Sequence, residues 1–78
     1  EGSVSGATES YDAVFANIVA DVIIMLARQL KEKTRQGGLL FLSGIVESRL
    51  NDVLTKFGDM TQEKIIHDDG WVTLVYRK

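Results

Sequence analysis

The chain has 78 residues, with 9 Lys and Arg against 11 Asp and Glu, a net charge of −2 and 45% hydrophobic residues. These values allow one small globular domain, exclude disordered and coiled-coil chains, and leave no clustered basic face for phosphates, so no direct nucleic-acid binding is expected. With no cysteine, no disulfide framework or thiolate metal site is available; no run of ~18 apolar residues suggests a membrane, and a cytoplasmic location is expected.

The opening "EGSVSGATES" is small, polar and without period. Residues 1–10 therefore read as a linker-like, disordered segment, and a start at Glu1 rather than Met suggests a piece of a longer chain cut inside a loop. From Asp12 to Asn17 the residues are mostly apolar (Ala13, Val14, Phe15, Ala16), which predicts a short strand covered on both faces. The period then changes: Val19, Val22, Ile23, Leu26 and Leu30 fall on one face of a helix expected from Ile18 to about Thr34. Lys31, Lys33 and Arg35 suit the negative end of that helix. Gly37 and Gly38 are expected to end it in a left-handed conformation. They do not suit a phosphate loop, because they follow a helix and precede a strand.

"LLFLSGI", residues 39–45, predicts a second buried parallel strand. The stripe Val46, Leu50, Val53, Leu54 and Phe57 predicts a second amphipathic helix closed by Gly58. Two strand-like runs follow, joined by Asp69-Gly70, a dipeptide suited to a two-residue hairpin. The expected architecture is α/β: strand, helix, strand, helix, strand, strand, with two parallel strands and a C-terminal antiparallel hairpin.

Catalytic sets are scarce. His67 has no nucleophile at a recognisable spacing and reads as a surface residue, Asp68-Asp69 reads as turn chemistry, and no metal site is expected. Trp71 is expected in the core or as its cover. What remains are the carboxyl ends of the two parallel strands, where open α/β sheets hold ligands. Those ends are Asn17-Ile18-Val19-Ala20 and Ser43-Gly44-Ile45. Asn17 can donate and accept hydrogen bonds, and two roles stand open for it: a ligand contact, or a cap on the following helix.

Three stretches, "YDAVFANIVADVIIMLARQL", "GGLLFLSGIVESRLNDVL" and "DDGWVTLVYRK", resemble the ribosomal protein methyltransferases of the PrmA type. The "NIVA" turn, "LSGI" after the glycine pair and the closing "GWV" are the most specific items. The resemblance implies a Rossmann-like, seven-stranded methyltransferase sheet, of which residues 11–78 would form the C-terminal half. It implies S-adenosylmethionine as cofactor and amino groups of a large-subunit ribosomal protein as substrate. Asn17 would be the catalytic residue, with Ile18, Val19, Ala20, Ser43 and Gly44 lining its pocket. The glycine-rich cofactor loop and the acidic residue that hold the cofactor in such enzymes have no counterpart in this sequence, so the isolated chain is expected to be inactive. Gln36 departs from the proline or acidic residue often found before the glycine pair, which affects the turn alone. A sheet cut in this way would expose a strand edge and apolar surface and is expected to self-associate. The competing reading is a free-standing α/β interaction module without catalysis. A phosphate-receiving domain would need aspartate where the first strand ends in Asn17, and a dehydrogenase half rests on fold alone.

Overall fold

The computed structural model describes residues 10–78, so the linker reading of residues 1–10 lies, apart from Ser10, outside the described residues. Strand β1 (Tyr11–Asn17) leads into helix α1 (Ala20–Met25), helix α2 (Ala27–Lys33) and the long strand β2 (Thr34–Val46). A 3-10 turn, Glu47–Arg49, enters α3 (Leu50–Lys56), and β3 (Thr61–Asp68) and β4 (Trp71–Arg77) complete the chain.

The four strands form one mixed sheet in the order β1-β2-β4-β3. β2 runs parallel to β1, with Asn17 opposite Ser43, and antiparallel to β4. The last strand thus lies between β2 and β3. The turn from β3 to β4 places Asp69 and Gly70 at φ 53° and 85°, the positive values that an Asp-Gly pair tolerates and a twisted hairpin requires. The Glu47 amide donates to the Gly70 carbonyl at 3.1 Å, which ties the hairpin to the start of α3.

One sheet face carries the core, so β1 is not covered on both faces as expected: Phe15 is exposed on the other. Leu40, Leu42, Ile45, Val72, Leu74 and Tyr76 are buried against Ile23, Ala27 and Leu30 of the first helices and Val53 and Phe57 of the third. Alternation along β2 passes from Leu42 to Ile45 because a bulge intervenes: β2 advances three residues while β4 moves two, from Leu42 opposite Leu74 to Ile45 opposite Val72. The extra residue restores Ile45 to the core face. Phe57 is fully buried and stacks on Tyr76, with ring centroids 5.5 Å apart.

Several expectations need correction. The first helix begins at Ala20, two residues later than expected, and Val19, expected in its apolar stripe, is 62% exposed. Val19 is still extended at φ −65°, ψ 155°, so the buried stripe is Ala20, Ile23, Ala27 and Leu30. The helix is interrupted at Leu26 (φ −97°, ψ 10°). It ends at Lys33, where Thr34 turns extended and its buried hydroxyl donates to the Leu30 carbonyl at 2.9 Å. The glycine pair therefore does not end the helix. Gly37 has φ 85° within the early part of β2, and Gly38 lets that strand pass the Asp12 carbonyl, which an added Cβ would meet at 2.7 Å. Trp71 is no core residue, being 52% exposed. His67 lies at the surface, with Nδ1 2.9 Å from Glu47 Oε2.

Phe57 joins α3 to the sheet. Replacing it with alanine is expected to cost about 3–5 kcal/mol, a large share of the ~5–15 kcal/mol typical of a whole domain, measurable as a lower urea midpoint.

Candidate functional site

The carboxyl ends of β1 and β2 come together because the two strands are parallel neighbours and both stop there. After Asn17 the chain bends at Ile18, and the Val19 carbonyl accepts the amides of Val22 and Ile23, each at 3.0 Å. Val19 is thus the N-cap residue, with no side-chain hydrogen bond capping the helix. Asn17 lies two residues too early to cap, which removes that reading. Its side chain is exposed and makes no hydrogen bond among the described residues.

Across from it, Ser43 is half-buried, and Gly44 sits in the bulge at φ 81°. The Asn17 amide oxygen lies directly over Gly44: an ideal Cβ there would stand 2.8 Å from Oδ1 and 3.3 Å from the Ile18 carbonyl oxygen. Beside this contact is a hollow of about 190 Å³ lined by Val19, Ala20, Asp21, Gly44, Val46, Arg49 and Trp71. Val19, Ala20 and Gly44, expected from the sequence, therefore meet in one concavity, while Asn17 approaches Gly44 without lining it. Ile18 packs toward the core instead, and Ser43 pairs with Asn17 without lining the hollow.

The sequence reading missed Asp21, Arg49 and Trp71. Arg49 bonds Asp21 through Nη1 and Asp52 through Nε, the latter at 3.0 Å, which links the first turn of α1 to the first turn of α3. The hydrogen bond that Arg49 donates to Asp21, then the one it donates to Asp52, holds its guanidinium above its ordinary range. Two carboxylates thus share one permanent cation. Only the exposure of Trp71 had a signal available in advance: it immediately follows the hairpin turn, at a strand end.

A larger hollow of about 420 Å³ lies elsewhere, between Ile24, Arg28, Lys31, Lys56, Asp59 and Lys78. It belongs to the other end of the sheet, where Lys78 pairs with Gly37 and Gly38 at the start of β2. Lys31 there is engaged by Asp59 at 2.9 Å and by the Lys56 carbonyl at 2.8 Å. That ammonium holds the Asp59 carboxyl below its usual range. No groups of three or more His, Cys, Asp or Glu suited to a metal occur among the described residues.

Residues 2–78 match the family described as Ribosomal protein L11 methyltransferase (PrmA). The chain belongs to this family. A protein named Ribosomal protein L11 methyltransferase from Campylobacter lari is 43% identical over 77 residues, which are 99% of this chain and 28% of that protein. One of the same name from Wolinella succinogenes is 48% identical over 77 residues, again 99% and 28%. The crystal structure of a ribosomal protein L11 methylase from Lactobacillus delbrueckii subsp. bulgaricus matches with a TM-score of 0.89 at 19% identity, over 96% of this chain and 40% of that one. That likeness shows the α/β fold. The chain spans little more than a quarter of the length of these curated PrmA relatives.

Removing the Arg49 side chain by R49A is expected to leave the fold intact and loosen the junction of α1 and α3. Faster amide exchange in the first turns of both helices, with little change in melting temperature, is the expected result, since exposed ion pairs add little to global stability.

Proposed function

We propose that this chain carries the amine-side wall of an S-adenosylmethionine-dependent methyltransferase site that acts on amino groups of a large-subunit ribosomal protein, with Asn17 as the catalytic residue. The observation that carries this reading is the Asn17 amide, engaged by no described side chain, at the end of a parallel strand over the Gly44 bulge in a PrmA-family chain. Residues 11–78 act as the C-terminal half of the catalytic domain, with the protein in the cytoplasm.

The residues present fit one side of the cofactor. The hollow of about 190 Å³ is smaller than the roughly 300–1,000 Å³ of a complete small-molecule pocket. Asn17, Ile18, Val19 and Ala20 would hold the methyl-bearing end, and groups beyond this sequence would hold the rest. When bound, S-adenosylmethionine supplies an electrophilic methyl carbon on a positively charged sulfur.

The chain's own task is to orient. An amide oxygen is too weak a base to strip an ammonium, so Asn17 receives the neutral amine, accepts one of its hydrogens and aims its lone pair at the methyl carbon. Backbone carbonyls freed where β1 stops pairing accept another. The Asp21 carboxylate draws the cationic form of the amine toward the mouth, and its proton leaves to water before attack. Ser43 and Gly44 wall the strand-end side, while Val19 and Trp71 keep bulk water from the rim.

Without a glycine-rich loop the chain alone is inactive. Mixed with the complementary N-terminal segment of the Campylobacter lari relative and the relative's ribosomal protein substrate, it is expected to restore methyl transfer from labelled cofactor, with N17A lowering the rate about 100-fold or more. Full activity of N17A would refute the role given to Asn17.

The sheet face away from the helices supports self-association of the isolated chain. Phe15 is 74% exposed and stacks on Phe41 at 4.5 Å, and no strand lies along the outer edge of residues 13–17 among the described residues. Such edges and patches recruit further strands. Light scattering is expected to show dimers or larger species that F15E reduces to monomers; a clean monomer of the unsubstituted chain at high concentration would contradict this.

A further inference from the structure

We infer that Gly44 is a positioning residue: its lack of a side chain is what allows the Asn17 amide to rest over the ends of β1 and β2. The inference rests on the reading of Asn17 as the catalytic residue, but the geometry that carries it is independent of that reading.

Two separate demands meet at Gly44. Its φ of 81° lies in the left-handed region, where any other residue is strained. A Cβ would also come within 2.8 Å of Asn17 Oδ1, closer than side-chain atoms settle, and one of the two must yield. The Ile18 carbonyl, at 3.3 Å, is backbone. The Asn17 amide is the movable partner, because it is the exposed end of a short side chain with no hydrogen bond to keep it among the described residues.

The other left-handed glycines provide a comparison within the molecule. Gly37 and Gly70 each have φ 85°, yet a Cβ at either would meet nothing within 4 Å. They answer to backbone conformation alone. Gly38 does meet close atoms, but these are the Asp12 and Arg35 carbonyls, which concern strand passage. Among the described glycines, Gly44 alone combines a left-handed backbone with an approach to a candidate site side chain.

The bulge explains how this arises. One extra residue in β2 between Leu42 and Ile45 returns Ile45 to the core and pushes Gly44 against the end of β1. Bulges re-aim side chains near functional sites. Here the bulge bears on the neighbouring strand: the carboxamide of Asn17, at the end of β1, occupies the space that Gly44 of β2 leaves open. A misplacement of about 1 Å at a reacting centre can cost roughly 100-fold in rate, so the glycine governs the reaction through the asparagine.

The test follows the Asn17 side-chain amide in the 78-residue chain, comparing G44A with G70A. Both substitutions are expected to lower the melting temperature through the left-handed strain that a side chain meets at either position. The Asn17 side-chain amide resonances should move in G44A and stay in place in G70A. Unmoved resonances in G44A would overturn the inference. If G44A does not fold, a nuclear Overhauser contact between the Gly44 α-protons and the Asn17 amide in the unsubstituted chain decides: its presence supports the inference and its absence overturns it. Active N17A enzyme alongside moved resonances in G44A would refute the catalytic reading and leave the geometry standing.

Discussion

Strand β2 is the constraint on which the rest depends. Among the described strands it is the one paired in parallel on one side, to β1, and in antiparallel on the other, to β4. Its inward residues Leu40, Leu42 and Ile45 are wholly inaccessible to water. A strand so placed cannot slip by one residue without turning those side chains out of the core. The bulge before Ile45 is therefore fixed in register, and with it the level at which β2 meets the end of β1.

The chemistry proposed for the site follows from that level. Asn17 pairs opposite Ser43, its amide lies over Gly44, and α1 departs from Ala20 with Val19 still extended. None of these residues is buried deeply enough to be called core except Ala20. They are held by backbone geometry, which suits a task of orientation. The Asp21–Arg49–Asp52 group ties the first turn of α1 to that of α3 beside the hollow.

Much of the local structure was legible because its signals are local. The apolar run Leu39–Ile45, the stripe ending at Phe57 and the Asp-Gly turn each report on a few consecutive residues. The errors arose where a tertiary contact competed with a local preference. Thr34, bonded back to Leu30, ends the helix before the glycine pair is reached, and Val19 serves the turn into α1 although its spacing fits the apolar stripe. The site was legible as two strand ends, through the general placement of ligands in such sheets and the resemblance of the "NIVA" and "LSGI" stretches to a known family. Its closure was not. Asp21 and Arg49 lie far apart in sequence, as do Asn17 and Gly44, and no periodicity couples such pairs. Trp71 reads as core or as its cover by residue type, and it sits half-exposed at the rim of the hollow.

Within this account the chain holds the amine-facing wall of a methyl-transfer site and leaves most of the cofactor to other groups. Calorimetric titration of the isolated 78-residue chain with S-adenosylmethionine tests that division most directly. The account predicts no saturable heat and no thermal stabilisation. Saturable binding would contradict it, showing that the strand ends around Asn17 make a complete cofactor pocket by themselves or with a second copy of the chain.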